Sequence, residues 1–274
     1  MTVMTTGAVA DRSRQGNRRG SVMWPLSRYT TISVLAVLAF FAAWQIVPAL
    51  GWVNVQFTSQ PSSVVLAAID IVQHDDFFYH AQISLNEFFV GFALAVVVSI
   101  PLGVLLGTSR YARYLIDPPL MALYMAPTLI LLPIMVIWLG IGMASKVAVV
   151  FLGAIFPIIV NTMAGMREAD PKLIRAAQSF GASKLDIFVR ILIPGSLPSI
   201  VMGMRLAVGR GVLGVVVGEL YASEAGIGHQ LVTYGSAMRI DRLLVYAMVI
   251  SVFGYVMTSL VRVVEGRVQS WRGQ

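Results

Sequence analysis

The sequence predicts an all-α integral membrane protein with about six transmembrane helices, and three observations support this fold class. First, 57% of the 274 residues are hydrophobic and 12% are charged, whereas a soluble domain is about a quarter charged. Second, the mean hydropathy is +0.79. Third, the apolar runs are long and continuous without alternating, which favours helices over barrel strands because lipid leaves backbone groups without a water partner.

The first predicted span follows a polar, basic tail. The tail covers residues 1–28 and the apolar run covers residues 29–50. This run is longer than the core of a signal peptide, so we expect an uncleaved anchor. Residues 51–76 contain no Lys or Arg and suit an extracytoplasmic loop that includes a short helix after Pro61.

The transmembrane core is predicted at residues 77–264. Its second and third spans are expected at residues 88–108 and 119–139, and Asp117 with Pro118 introduces the third span. Several spans carry a proline inside the apolar run, which bends a helix or breaks it. These prolines are Pro101, Pro127, Pro133 and Pro157.

Three more spans follow, at residues 147–166, 197–221 and 243–264, and a tail covers residues 265–274. Six spans place both termini on one side of the membrane. Fifteen of the twenty Lys and Arg then lie in the N-terminal tail, the loop at Arg110, the segment 167–196, or the C-terminal end from Arg262 onward. The positive-inside rule therefore predicts that both termini are cytoplasmic.

Two pairs of glycines predict close helix packing. Gly103 with Gly107, and Gly214 with Gly218, have the small-x-x-x-small spacing that lets transmembrane helices approach each other.

A polar segment, residues 166–198, interrupts the apolar sequence between the fourth and fifth spans. Its many charges exclude it from hydrocarbon. Asp170 is a candidate N-cap, Pro171 suits the first helical position, and Gly181 is expected to end this first short helix.

A second short helix is predicted directly after Gly181. Ser183 and Asp186 have the spacing of a capping box, and Pro194 is expected to stop the helix that they open. Both short helices have an apolar face, which either packs on the spans or inserts into a groove on a partner protein. These apolar residues are Leu173, Ala177 and Phe180 in the first helix and Ile187, Phe188 and Ile191 in the second.

The sequence lacks the common catalytic and nucleotide-binding motifs. It contains no G-x-x-x-x-G-K-[ST] phosphate loop, no H-E-x-x-H and no G-x-S-x-G. Its three histidines, His74, His80 and His229, are scattered on the presumed outside loops, so neither a metal site nor an enzyme activity is expected.

Three charges lie inside the predicted fifth span: Arg205, Arg210 and Glu219. A charge near the bilayer centre costs about 3 kcal/mol on insertion scales, so each should face the bundle interior, water or a partner charge. These residues are candidates for a polar translocation path, in which Arg favours an anionic substrate. Alternatively, Arg205 and Glu219 are structural and pair with charges elsewhere.

The polar segment also resembles the "EAA" loop of the permease subunits of ATP-binding cassette importers. The family pattern is E-A-A-x-x-x-G, nine residues, then I-x-L-P, and this chain matches it at Ala176, Ala177, Gly181, Ile191 and Pro194. Further matches resemble the nitrate, sulfonate and taurine branch. They are Trp138-Leu-Gly-Ile-Gly142, Ser145-Lys146, Phe156-Pro157, Asn161-Thr162, Gly203-Met-Arg205, and Glu219 with Gly226-Ile-Gly228.

The resemblance implies a function and a set of partners. It implies a multi-pass permease of the bacterial cytoplasmic (inner) membrane, working by alternating access as a homodimer with two ATPase subunits and an extracytoplasmic substrate-binding protein. The chain itself would bind no cofactor, because ATP and Mg²⁺ belong to the ATPase. The implied residues of the coupling contact are Arg175, Ala176, Ala177, Gly181, Ile191 and Pro194.

The expected substrate is a small anionic solute such as nitrate, a sulfonate or taurine. An importer of a pyrimidine or flavin-type precursor is an alternative with the same machinery. An ATP-independent secondary transporter is an alternative of another class, but it has no use for an EAA loop. A membrane enzyme or scaffold is disfavoured, because no nucleophile, metal cluster or acid-base pair converges in the sequence.

Two departures from the family pattern reverse a charge. Arg175 stands where the family has Glu, so the ATPase partner is expected to differ locally. Glu87 stands where relatives often carry Arg.

Overall fold

The computed structural model describes residues 26–126 and 128–270, and these residues form a bundle of helices without strands. Most of the predicted basic tail, Pro127 and the last four residues lie outside the described ranges. The helices are α1 (Leu26–Ala49), α2 (Val55–Thr58), α3 (Pro61–His74), α4 (Phe77–Thr108), α5 (Arg110–Met125), α6 (Leu132–Leu139), α7 (Met143–Arg167), α8 (Pro171–Ser179), α9 (Lys184–Ile187), α10 (Ile193–Ala222), α11 (Ile227–Ser236) and α12 (Ile240–Ser270).

Five helical stretches in the described residues are long and apolar enough to cross a membrane. They correspond to five of the six predicted spans, namely α1, α4, α7, the stretch from α9 through α10, and α12. The predicted short helix after Pro61 is α3, whereas α11 was not predicted.

The predicted third span is a broken helix. Asp117 and Pro118 do not introduce it, because Ser109 caps α5 earlier by accepting a hydrogen bond from the Ala112 N–H at 3.3 Å. The helix continues through both prolines to Met125, and a 3₁₀ turn at Thr128–Leu131 then leads into the eight-residue α6. Eight helical residues extend about 12 Å, so α6 alone is too short to cross a bilayer.

Helix α7 lies at the centre of the bundle, between α4 and α10, and is buried along most of its length. Glycines let the three helices approach closely. A Cβ atom on Gly103 would lie 2.5 Å from the Thr162 Cβ, and one on Gly214 would lie 3.1 Å from the Val150 Cα. Gly107 and Gly218 are equally confined, so the close packing predicted for both glycine pairs is confirmed.

The first short helix of the polar segment is formed as predicted. The Asp170 carboxylate accepts a hydrogen bond from the Lys172 N–H at 2.7 Å, and Pro171 is the first residue of α8. Gly181 adopts φ +79° just after the helix, and the next N–H, that of Ala182, reaches back to the Ala177 carbonyl at 3.0 Å. This turn is a Schellman-type helix end, which requires the left-handed conformation that glycine adopts freely.

The second short helix begins as predicted but does not stop at Pro194. Ser183 and Asp186 form the capping box. After α9 the chain makes one π-helical turn, Phe188–Leu192, and continues directly into α10. The Ile193 N–H bonds to the Phe188 carbonyl, and this wider turn leaves room for the proline ring in the first turn of α10.

The end of the bundle opposite the polar segment is called the far end below. It carries α2, α3, α11 and the beginning of α12. Helix α1 is joined to this end by two side chains. The Trp44 Nε1–H donates to the Thr58 carbonyl at 3.1 Å, and Gln45 exchanges hydrogen bonds with the Ser62 hydroxyl and N–H, each at 3.1 Å. Most other described side chains of α1 are exposed.

Candidate functional site

The apolar face of the polar segment divides into a packed part and an exposed part. Ile187 is buried against the bundle. By contrast, Phe180 is 93% exposed, Leu185 is 70% exposed and Leu173 is 58% exposed. Phe180 directly follows α8, Leu185 lies in α9, and Leu173 lies in the first turn of α8, all within the charged polar segment.

The predicted coupling residues lie on this surface. The side chains of Arg175 and Ala176 are exposed, Ala177 is half-buried, and Gly181 forms the turn described above. A cavity of about 710 Å³ separates the polar segment from the end of α12, and both apolar and charged residues line it. They include Ile191, Pro194, Leu173, Glu168, Asp170, Arg190 and Arg267.

Arg205 makes an ion pair within the bundle. Its Nη1 lies 2.9 Å from the Glu265 Oε2, which joins α10 to α12. The structure thus supplies the partner charge that the sequence requires for this residue, and the pairing fits the structural alternative.

Arg210 is half-buried and lies over an aromatic ring. Its guanidinium carbon is 4.5 Å from the centroid of Tyr124, on the broken third span. Among the described residues, no carboxylate forms an ion pair with Arg210. A guanidinium held against an aromatic face keeps its charge and its N–H donors available to an anion.

Glu219 is 1% exposed and holds the beginning of α11. Its carboxylate accepts hydrogen bonds from the Ser84 hydroxyl and from the Gly228 N–H, both at 2.6 Å. Ser84 in turn accepts the Ile227 N–H at 2.9 Å. The carboxylate therefore binds one free N–H at the N-terminus of α11 directly, as a capping residue does, and orients the Ser84 hydroxyl that binds the next.

Sequence reasoning missed a second buried pair next to Glu219. Glu87 and Lys146 form an ion pair in which the two side chains are 1% and 5% exposed. The Lys146 Nζ also donates to the Ser223 hydroxyl at 2.8 Å. Each charge lies one residue before a predicted span, and both spans begin at the same end of the bundle. Their opposite signs could therefore have predicted that the two residues pair.

A third polar cluster joins the elements of the far end. Arg242 forms ion pairs with Asp70 and Asp75, and the Tyr234 hydroxyl donates to Asp75. Burial, followed by the hydrogen bond to Asp75, raises the pKa of the Tyr234 hydroxyl above its ordinary value. The cluster ties α3 and α11 to the start of α12.

Comparison with known proteins identifies the family. The family model described as "Binding-protein-dependent transport system inner membrane component" matches residues 99–270. The chain belongs to this family.

Two curated members of the transport family match nearly the whole chain. The taurine transport system permease protein TauC of Escherichia coli (strain K12) is 30% identical over 263 residues, which cover 94% of this chain and 96% of TauC. The putative aliphatic sulfonates transport permease protein SsuC of Bacillus subtilis (strain 168) is 30% identical over 267 residues, 97% of this chain and 94% of SsuC.

A solved transporter shows the same fold. A chain of the methionine ABC transporter MetNI, in an inward-facing conformation, superposes with a TM-score of 0.60 at 20% identity, covering 70% of this chain and 95% of that chain. The protein is therefore a permease subunit of an ATP-binding cassette importer, a multi-pass protein of the inner membrane. It is a transport subunit, and its family works with a separate ATPase and a substrate-binding protein.

Proposed function

We propose that this permease imports a small sulfonate, either taurine or an alkanesulfonate. It works as a homodimer with two ATPase subunits and an extracytoplasmic binding protein. The names of its two curated relatives support this substrate class. Arg210 supports it chemically, because a guanidinium over Tyr124 offers N–H donors to a sulfonate. In this arrangement both termini and the polar segment are cytoplasmic.

The observation that carries the proposal is the exposed apolar surface of the polar segment. Phe180, Leu185 and Leu173 are exposed in a segment whose many charges exclude it from hydrocarbon. An exposed apolar patch rimmed by polar groups marks a protein interaction site. This surface is the coupling contact with the ATPase, and Arg175 lies next to it, where an acidic group of the partner would complement it.

A continuous helical connection between the polar segment and α10 supports a mechanical route from this surface to the membrane. Because the π turn at Phe188–Leu192 joins α9 to α10 without a break, a displacement of the polar segment reorients α10 and with it Arg210. The ATPase binds ATP and Mg²⁺. This chain contributes the polar segment, which transmits the movement, and the transmembrane helices, which form the translocation path. Closure of the two ATPase subunits then drives alternating access.

The coupling contact is tested by truncating Phe180. We expect Phe180→Ala to reduce the affinity for the ATPase by about thirtyfold, which corresponds to an interface hot spot of about 2 kcal/mol, without lowering the amount of inserted permease. Co-purification of the ATPase with the tagged permease measures this. Phe78→Ala is the matched control, because Phe78 is 71% exposed at the far end. Equal loss in both variants, or no loss in either, contradicts the proposal.

The substrate class is tested by uptake. Cells that contain the permease with its own ATPase and binding protein should accumulate labelled taurine or an alkanesulfonate. Unlabelled sulfonate should compete, whereas a pyrimidine precursor or a flavin should not. Uptake of the pyrimidine or flavin without uptake of any sulfonate refutes the substrate proposal and favours the alternative importer.

A further inference from the structure

Side chains of α4, α7 and α10 bind the turn between α10 and α11 to the bundle. Three successive backbone N–H groups have a buried or half-buried acceptor. Gly226 donates to the His80 Nδ1 at 3.0 Å, Ile227 donates to the Ser84 hydroxyl, and Gly228 donates to the Glu219 carboxylate. The turn is therefore fixed to α4 at Gly226 and Ile227, and to α10 at Gly228.

The charges behind this turn form a cluster of three residues, Glu87, Lys146 and Glu219, from α4, α7 and α10. Counted over the whole residue, backbone included, each is at most 4% exposed. Burial of an ionised group is costly unless its partner is accurately placed, so loss of one partner is far more disruptive than at a surface pair. Lys146 also holds Ser223, the first residue of the turn. The cluster thus specifies one position of the turn relative to three helices.

Two glycines, Gly218 and Gly228, pack closely against the side chains of this cluster. A Cβ atom on Gly228 would lie 2.7 Å from the Val216 carbonyl oxygen and 2.8 Å from the Glu219 Cβ. One on Gly218 would lie 3.2 Å from the Lys146 Cγ. The backbone of α10 and α11 is therefore in direct contact with the stems of the buried charges.

The cluster and the polar segment occupy opposite ends of one stiff pair of helices. Helices α7 and α10 are packed backbone to backbone along their length. A Cβ on Gly153 would lie 3.1 Å from the Arg210 carbonyl oxygen, and one on Gly203 would lie 3.0 Å from the Pro157 carbonyl oxygen. Such a pair transmits a displacement instead of absorbing it by deformation.

The turn forms part of a mouth at the far end. A cavity of about 430 Å³ opens there, and the cluster residues Glu87 and Lys146 lie in its wall. Ser223 and Glu224 of the turn line it as well. The position of the turn therefore sets the shape of the surface that faces a binding protein.

We propose that Glu87, Lys146 and Glu219 are positioning residues for transport, which fix the α10–α11 turn so that a movement of the polar segment reshapes the mouth at the far end. This role rests on the proposed coupling function. It assigns the three charges to communication between the two ends of the permease.

The test is a charge exchange. Glu87→Lys and Lys146→Glu are made singly and together, and the permease is reconstituted in vesicles with its ATPase and binding protein. Each single change places like charges together, so we expect stimulation of ATP hydrolysis by the binding protein to fall by about tenfold, the size of a moderate coupling between sites. The double change restores an opposite pair and should recover most of the stimulation. Asp76→Asn removes an exposed carboxylate at the same end and should have no effect.

Several outcomes would overturn the proposed positioning role. A double variant no better than the single variants, at equal amounts of assembled complex, overturns the proposal, as does full stimulation in both single variants. If the charge variants fail to accumulate, Ser223→Ala serves instead, because it removes the Lys146 contact without leaving a charge unpaired. It should lower stimulation severalfold with normal assembly, and unchanged stimulation refutes the role. Failure of the coupling function itself appears separately, as wild-type permease that does not retain the ATPase.

Discussion

At the scale of single residues, the three intramembrane charges of α10 have different surroundings. Arg205 is paired with Glu265, and Glu219 is bound by Ser84 and the backbone of α11. Arg210 contacts an aromatic ring instead. The chemistry of a translocated anion therefore points to Arg210, whereas Arg205 and Glu219 hold helices together. Their role in a path remains a prediction from the sequence.

Substitution of Arg210 tests this assignment. We expect Arg210→Ala to lower substrate uptake by about tenfold or more, because a charge-assisted hydrogen bond contributes about 1.5–3 kcal/mol. Arg210→Lys keeps the charge and should retain part of the uptake. Assembly with the ATPase, measured by co-purification, should be unchanged in both variants. Wild-type uptake by Arg210→Ala removes this residue from the pathway.

The confinement of Gly228 predicts a stability effect. Gly228→Ala forces the Glu219 stem or the α10 carbonyl to move, at a cost of about 1–3 kcal/mol for overpacking. Gly209→Ala is the control, because a Cβ atom there meets nothing within 4 Å, and a helical Gly→Ala change is neutral or favourable. Thermal denaturation in detergent should show a lower midpoint for Gly228→Ala alone. Equal midpoints for the two variants contradict the role of this contact.

Short-range chemistry explains which residues could be predicted from the sequence. Asp170, Ser183 and Asp186 cap helices through neighbours within three residues, so spacing alone identifies them. The pairing of Glu87 with Lys146 joins residues that are distant in the chain. Their proximity depends on the packing of α4 against α7, which no local pattern encodes.

At the scale of elements, the helix boundaries that were predicted from prolines differ from those in the structure. Pro118 lies inside α5 and Pro194 lies in the first turn of α10, although both were expected to mark a helix boundary. A proline removes one hydrogen bond, and whether the helix continues depends on how the neighbouring turn and its packing accommodate the ring. At Pro194 the π turn provides that accommodation. At α5 the capping by Ser109 determines where the helix begins.

The turn at Gly181 is the element that shapes the polar segment, and it permits a matched pair of substitutions. A Cβ atom at Gly181 meets nothing within 4 Å, so any effect comes from the backbone at φ +79°. Gly181→Val disfavours this conformation by about 1–2 kcal/mol, whereas Gly181→Asn tolerates it. We expect Val, but not Asn, to reduce co-purification of the ATPase while insertion is unchanged. Intact retention with Val counts against the coupling role.

At the scale of the whole molecule, the bundle is organised around α7 and α10. Hydropathy predicted the five continuous spans because lipid requires long apolar helices. The broken third span and the extra helix α11 were not predictable in this way. Their form depends on prolines, and on the buried acceptors that α4 and α10 offer to the α11 N-terminus.

Membrane orientation can be measured directly, because the chain contains no cysteine. Single cysteines introduced by Gln178→Cys in α8 and Ser236→Cys at the end of α11 are both at exposed positions. A membrane-impermeant maleimide applied to sealed cells should label only position 236, since the positive-inside rule places the polar segment in the cytoplasm. Both positions should react after lysis. Labelling of position 178 in sealed cells reverses the topology.

The loose attachment of α1 has a consequence for how this chain can vary. Trp44 and Gln45 make polar contacts that join α1 to α2 and α3, while most other described side chains of α1 are apolar and exposed. Selection then acts on the length of α1 and on the hydrophobicity of most of its positions. It acts on the particular side chain at only a few positions. Substitutions among apolar residues should accumulate freely in α1 over evolutionary time, in contrast to α7. An unrelated apolar helix grafted in its place, with Trp44 and Gln45 retained, would serve as an equivalent anchor.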